Sequence, residues 1–244
     1  MTNRILRNEQ DGLCTLTLNR ADKLNALDTQ TFEELDAILA GIEQAADTVG
    51  CVILRAEGRA FCAGADLGAM DGQLAISRMK PKVIERLACL PQPVIAAVHG
   101  VCFTGGLELA LAADLIVADS SARFADTHGK WGLVGTWGIS QRLPRRIGAS
   151  LAKLMMFSAR EIDASEAHRI GLVDLLAPAG ELDGITQALA ADILANSWHT
   201  SRAAKSLLRE TDGMPIADGL AHEHYRSPGF APDFAERVAR FSRR

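Results

Sequence analysis

Apolar and polar positions alternate along Leu13-Cys14-Thr15-Leu16-Thr17-Leu18, a period of two that predicts a strand. The segment 4–8 before it and the Asp11-Gly12 pair between them predict a hairpin. The period then changes. Phe32, Leu35, Ile38, Leu39 and Ile42 recur at helical spacing, predicting a helix over 29–46 with Asp28 as its N-cap. Short unbroken apolar runs at 51–54, 94–98 and 115–118 read as strands buried on both faces. Helices are expected over 74–90, stopped by Pro91 and Pro93, and over 107–113. Beyond Pro144 the pattern turns largely helical, at 150–157, 165–169, 181–195, 198–210, 215–225 and 232–240, with one short strand at 173–176.

A chain of 244 residues can bury one substantial core. Its 48% hydrophobic and 23% charged residues are those of an ordinary globular protein. No apolar run approaches the roughly 20 residues that span a bilayer, and Met1-Thr2-Asn3-Arg4 has no signal-peptide pattern, so no membrane partner is expected. The five cysteines, Cys14, Cys51, Cys62, Cys89 and Cys102, are odd in number and sit mostly in apolar runs, which suits free thiols of a reducing cytoplasm. A net charge of −4 argues against broad nucleic-acid binding but leaves room for a small polyanion held by local cations.

Two small-residue turns carry the candidate chemistry: Phe61-Cys62-Ala63-Gly64-Ala65-Asp66 and Thr104-Gly105-Gly106-Leu107-Glu108, each following an apolar run. Glycine and alanine leave backbone N–H groups open to an incoming oxygen. Two such turns converging would form an oxyanion hole. Glu108, just beyond Gly105, would place an acid/base group next to the polarised carbonyl, which suits proton transfer alpha or beta to a thioester. Other chemistries find little support. There is no phosphate-binding loop and no dinucleotide fingerprint. His222 and His224 point to different faces of a helix, so no metal site is read there. A triad of Ser140, His128 and Asp126 lacks a nucleophile elbow around the serine.

At these residues the chain resembles the enoyl-CoA hydratase/isomerase family, the crotonase superfamily. The resemblance takes in Leu18-Asn19-Arg20 with Leu24-Asn25-Ala26-Leu27, then 58–67, 90–100 and Gly105-Gly106-Leu107-Glu108-Leu109-Ala110. It continues through Gln141-Arg142-Leu143-Pro144-Arg145, Ala164-Ser165-Glu166-Ala167 and Gly171-Leu172-Val173, all in the family's order. It implies an α/β fold: a crotonase-like spiral of repeated β-β-α units over 1–190 that carries the acyl-CoA site, and a C-terminal helical segment over 191–244 that assembles a homotrimer or homohexamer.

Residue by residue, the resemblance places the oxyanion-hole amides at Ala63 and Gly105 and the first acid/base glutamate at Glu108. Lys23, Leu24, Ala65, Asp66 and Leu67 are implied as substrate-binding, with Arg20 and Lys23 in the loop that flanks the adenine and 3′-phosphate end of coenzyme A. One position departs from the pattern. After Ala122-Arg123-Phe124, the second glutamate of typical hydratases is replaced by His128. A histidine suits proton transfer near neutral pH, and it can equally orient Asp126 or a loop amide. Trp131 and Trp137 stand beside the implied acyl channel, where Gly135-Thr136-Trp137-Gly138 replaces proline and small residues; packing is their other reading.

The implied activity is that of an enoyl-CoA hydratase, adding water across a 2-enoyl-CoA double bond through an oxyanion-stabilised enolate. No cofactor is expected, coenzyme A being part of the substrate. Loss of the second glutamate leaves open another crotonase reaction: isomerisation, acyl-CoA hydrolysis or carbon–carbon bond cleavage. A non-catalytic member that binds acyl-CoA, a protein or RNA is also open, and Glu108 and the acidic balance count against it.

Overall fold

The alternation over 13–18 becomes strand β2 (Leu13–Leu18), paired antiparallel with β1 (Ile5–Gln10). The turn residues Asp11 and Gly12 both take positive φ, 50° and 84°, as a tight right-twisted hairpin requires. The computed structural model of the chain describes residues 3–69 and 78–241. In it β3 (Cys51–Ala56), β4 (Val94–Val98), β6 (Leu115–Asp119) and β9 (Leu175–Ala177) extend β2 in parallel, giving a six-stranded sheet of order β1-β2-β3-β4-β6-β9. A second sheet of order β5-β7-β8 joins β5 (Val101–Phe103), β7 (Arg123–Ala125) and β8 (Ile162–Asp163). Isolated bridges Ala60–Gly100 and Cys62–Cys102 stitch successive coils together beside it.

Successive side chains of a strand point to opposite faces, so the main sheet feeds two cores. On one face Val52, Leu54, Val94 and Ala96 meet Phe32, Leu35, Leu39 and Ile42 of α1 (Thr29–Gln44) and Val83, Ile84 and Leu87 of α2 (Met79–Cys89). Asp28 caps α1 as expected, accepting from Thr31 N–H at 2.9 Å. On the other face Cys51, Ile53, Ile95, Ala97 and Val117 form a separate core with the helix Leu182–Ala195 packed against it. Burying each large aliphatic or aromatic side chain contributes about 1.5–3 kcal/mol. All five cysteines are free and four are buried; burial pushes the thiols of Cys51 and Cys62 up to about 12.

Helices α3 (Gly105–Ala110), α4 (Ile139–Ile147), α5 (Ala149–Ser158) and α6 (Ala164–Arg169) add Leu107, Leu143, Met155 and Ala167 to the first of these cores. Helix α4 was not among the expected helices: the largely helical part was read as starting beyond Pro144, and that proline lies inside α4. Pro144 costs the helix a donor to the carbonyl of Ser140, an exposed first-turn residue that water can satisfy. Ile139, Leu143 and Ile147, one turn apart, are all buried and hold it in place. The helix expected over 74–90 begins at Met79 among the described residues, and 74–77 lie outside them.

Helix α7 (Leu182–Ala195) spans the boundary expected at 190/191. After it come α8 (Trp198–Glu210), α9 (Ile216–Arg226) and α10 (Phe234–Phe241). Helix α8 is tied to the main sheet: Lys205 Nζ donates to Asp114 Oδ2 at 2.6 Å and to Gln92 O at 2.9 Å. Trp198 seals the same corner, where a Cβ on Gly50 would lie only 2.3 Å from the indole. Further out, Leu208, Ile216, Tyr225, Phe230 and Phe241 are between 75% and 82% exposed.

Candidate functional site

The loop after β2 sets one wall of the site. Asn25, 2% exposed, accepts from Arg20 N–H at 2.8 Å and donates to the carbonyls of Glu57 and Ala60, both at 2.8 Å. With every polar atom of that amide engaged, the loop is clamped to the chain leaving β3. Arg20 turns inward onto Asp66 at 2.6 Å and Asp28 at 3.6 Å. Asp66 also accepts from Gly68 N–H at 3.0 Å, so its carboxylate braces the loop. Lys23 stands exposed and Leu24 half-buried, with Leu24 in the left-handed region at φ 50°. Leu67 is 39% exposed.

The amide expected at Ala63 is already spent. Its N–H donates to Leu24 O at 3.0 Å, so it cannot also meet a substrate oxygen. Two residues on, Leu27 bridges to Ala65 by donating to Gly64 O at 2.8 Å and accepting from Asp66 N–H at 3.0 Å. In an extended segment alternate amides face opposite sides, which leaves Ala65 N–H turned away from that bridge. It lies beside Gly105, where an added Cβ would sit 3.3 Å from Ala65 N. The open N–H beside Gly105 is therefore that of Ala65, which the sequence marked only as substrate-binding.

Gly105 is the first residue of α3, and the first N–H groups of a helix have no intrahelical acceptor. Among the described residues no hydrogen bond engages the N–H of Ala65 or of Gly105. The turn into α3 is strained, since Thr104 has φ 53° without being glycine. It is held by bonds to the next loop: Thr104 N–H donates to Ala125 O at 2.8 Å, and Thr104 Oγ1 accepts from Thr127 N–H at 3.1 Å. The chain that carries Gly105 and the chain that carries His128 are thereby joined.

Glu108 is 1% exposed on the first turn of α3. Its Oε1 accepts from Trp137 N–H at 2.8 Å and Ile139 N–H at 3.1 Å. Its Oε2 faces His128 Nε2 at 3.7 Å. On the far side of the imidazole, Nδ1 is 2.6 Å from Asp126 Oδ1, which also accepts from His128 N–H at 3.1 Å. Burial pushes the Glu108 carboxyl above its ordinary range, against the Ile139 amide, the His128 charge and the Trp137 amide. Burial alone would pull His128 down, but the hydrogen bond and charge of Asp126 with the charge of Glu108 outweigh it and hold the imidazole above 6.5. Both groups hold their protons more tightly than in water.

The two tryptophans part company. Trp137 has its ring against Gly105, where an added Cβ would lie 2.4 Å from the indole, and meets Phe32 edge-on with centroids 5.0 Å apart. Trp131 ends the short 3-10 turn His128–Trp131 and is 62% exposed. Ser140 is exposed, and its hydroxyl accepts from Gln141 at 3.4 Å; the Asp126–His128 pair points at Glu108 instead. His222 pairs with Glu210 at 2.7 Å while His224 packs on Tyr225, on separate sides of α9. Asp126 entered the sequence reading only as a partner of His128, and the Trp137 and Ile139 amides escaped it, for no spacing rule brings an amide 31 residues away onto a carboxylate.

Comparison with known proteins gives this geometry a context. The sequence profile of the enoyl-CoA hydratase/isomerase family matches residues 8–225. The short-chain-enoyl-CoA hydratase of Clostridium acetobutylicum is 33% identical over 226 residues, covering 91% of this chain and 87% of that protein. The 1,2-epoxyphenylacetyl-CoA isomerase of Escherichia coli is 31% identical over 248 residues, covering 97% and 94%. Among solved structures, the enoyl-CoA hydratase of Bacillus anthracis superimposes with a TM-score of 0.93 at 32% identity, covering 98% of this chain and 96% of that one.

Proposed function

Because the chain belongs to the enoyl-CoA hydratase/isomerase family, we propose that it is an enoyl-CoA hydratase that adds water across a 2-enoyl-CoA double bond. The observation that carries this reading is the pair Glu108 Oε2 and His128 Nε2, 3.7 Å apart, the carboxyl buried and the imidazole half-buried, next to two unengaged amides. The thioester oxygen accepts from Ala65 and Gly105, and each such donor is worth about 10²–10³ in turnover. Glu108 takes a proton from water while the water oxygen bonds to Cβ and the π pair moves onto the thioester oxygen. As the enolate collapses, His128 gives its Nε2 proton to Cα. The proton on Glu108 then returns to His128, so the site is restored and one water has been added.

A second reading has its own support. Isomerisation needs a single group to take a proton from one carbon and return it to another, and here one of the two carboxylates of a typical hydratase is a histidine. A relative of similar identity is named an isomerase. Incubation with crotonyl-CoA separates the two: hydration removes the conjugated absorbance with a mass gain of one water. Conversion of a 3-enoyl-CoA to its 2-enoyl isomer without hydration of crotonyl-CoA would replace the hydratase by the isomerase.

The acyl-CoA is held by residues of the two turns, with Lys23, Leu24 and Leu67 at its coenzyme A end and Trp137 beside the acyl group. The exposed apolar side chains of α8, α9 and α10 support assembly into a trimer or hexamer. The reduced cysteines support a cytoplasmic setting. Among the described residues no helix is long and apolar enough to cross a membrane.

A further inference from the structure

We propose that Asp126 is a positioning residue that fixes the proton of His128 on Nδ1, so that Nε2 alone meets the reaction and Asp126, His128 and Glu108 act as one relay. The proposal rests on the acid/base assignment of Glu108 and His128 above.

Asp126 is 2% exposed, directly after β7, and its Oδ1 lies 2.6 Å from His128 Nδ1. A carboxylate only accepts hydrogen bonds, so the proton between these atoms belongs to the imidazole. The same oxygen takes His128 N–H at 3.1 Å, which sets the backbone as well as the ring. The ring is closed in from the side: a Cβ on Gly135 would lie 2.9 Å from His128 Cε1 and 3.2 Å from Nδ1. Turning the imidazole over would put Cδ2 where Nδ1 now stands and break the bond to Asp126.

The far end of the row is equally constrained. Oε1 of Glu108 is filled by the amides of Trp137 and Ile139, which leaves Oε2 for chemistry. Two atoms therefore remain available, Nε2 and Oε2, separated by 3.7 Å. That gap is too long for a direct hydrogen bond and short enough for one oxygen to reach both. The charged groups that face His128 are Asp126 on its own loop and Glu108 on α3, while Lys130 is exposed on the same 3-10 turn. With two carboxyl groups and one imidazole, one proton is shared between Nε2 and Oε2. Asp126 biases it toward Nε2, making His128 the acid and Glu108 the base.

The balance closes over a turnover. Water gives one proton to Oε2 and its hydroxyl to Cβ, and Nε2 gives its proton to Cα. The proton then moves from Oε2 to Nε2, with no net gain or loss by the protein. Aspartate can do this from behind the ring, as buried carboxylates do for other catalytic imidazoles. If Asp126 only caps the turn through the His128 amide, none of this depends on its charge.

The test is Asp126→Asn, read by kinetics and by ¹⁵N NMR of histidine-labelled protein, with the His128 signals assigned by their loss in His128→Gln. Asparagine keeps an acceptor for the amide but removes the charge and can donate to Nδ1. We expect kcat to fall by about 10²-fold or more with KM little changed, the His128 titration to move to lower pH, and the wild-type ring to carry its neutral-form proton on Nδ1. An unchanged titration midpoint in Asp126→Asn, or a wild-type ring protonated on Nε2 alone, overturns the proposal. The second measurement needs only the wild type and stands even if the variant does not fold. Should His128→Gln keep full activity while the NMR outcomes are as expected, the reading of His128 as an acid fails, and the placing of its proton by Asp126 survives.

Discussion

The backbone N–H of Trp137 donates to Oε1 of Glu108 over 2.8 Å, while the indole of the same residue lies against Gly105. One residue thus positions the carboxylate and walls the proposed oxyanion turn. Arg142 secures it from behind, donating to Trp137 O at 2.8 Å and pairing with Glu85 of α2 at 2.6 Å. Displacing this loop would disturb both halves of the site together.

Glu108→Gln retains an acceptor for the Trp137 and Ile139 amides and removes the titrating group. Turnover of crotonyl-CoA should fall at least about a hundredfold, with the thermal midpoint held or raised because a buried carboxylate is gone. Steady-state kinetics beside a melting curve check it, and a near-normal rate would sink the mechanism.

His128→Glu restores the second carboxylate of typical hydratases, but places it beside Asp126, which now has no donor from the ring. We expect His128→Gln to lose about as much activity as Glu108→Gln, and His128→Glu to recover only part, with a pH profile displaced by the two neighbouring carboxylates. Full recovery in His128→Glu would mean that Asp126 has no hold on the group at this position.

Gly105→Ala drives a methyl to within 2.4 Å of the Trp137 ring and 3.3 Å of Ala65 N. We expect a loss of about 10²–10³ in turnover. Trp137→Ala alone should extend the accepted acyl length, seen as a lower KM for longer 2-enoyl-CoA relative to crotonyl-CoA. It should also forfeit about 0.5–1.5 kcal/mol from the edge-on contact with Phe32. The double variant should recover part of the Gly105→Ala loss; strictly additive losses would show that the clash is not the cause.

Stability should fall with rising pH in the range set by these two groups. His128 is raised above 6.5 in the fold, so its contribution is complete below 6.5 and disappears as pH climbs through the folded value. Glu108 is raised above 4.5, so its ionisation at higher pH opposes folding. The urea midpoint of the wild type should exceed that of His128→Gln most clearly below pH 6.5 and approach it in alkali. A gap that widens with pH would reverse the sign.

The apolar faces of α8 to α10 give an assembly prediction. Light scattering at micromolar concentration should report three or six times the chain mass of 26.1 kDa. A monomer would refute it.

How much of this was legible in the chain can be judged from particular residues. The parallel strands were plain because burial on both faces leaves unbroken apolar runs such as Val94-Ile95-Ala96-Ala97-Val98. Strands β5, β7 and β8 were not, since two or three residues are too few for a period to register. Helix α4 was hidden by Pro144, a local signal overridden by the burial of Ile139, Leu143 and Ile147. In the site, Glu108 stood out as an acid in an apolar segment. Which alanine keeps an open N–H did not: the difference between Ala63 and Ala65 depends on Leu24 and Leu27, whose carbonyls the sequence cannot aim.

The three tryptophans occupy surroundings so unlike one another that the protein carries its own optical label. Trp131 is open to solvent, and Trp198 is wedged at Gly12 and Gly50 with Nε1–H bonded to Leu194 O at 3.0 Å, far along the chain from the turns. Trp137 is the one whose ring touches Gly105. In a Trp131→Phe background, emission that changes on adding an acyl-CoA can be traced to Trp137. The filling of the site could then be timed by stopped-flow fluorescence without attaching a dye.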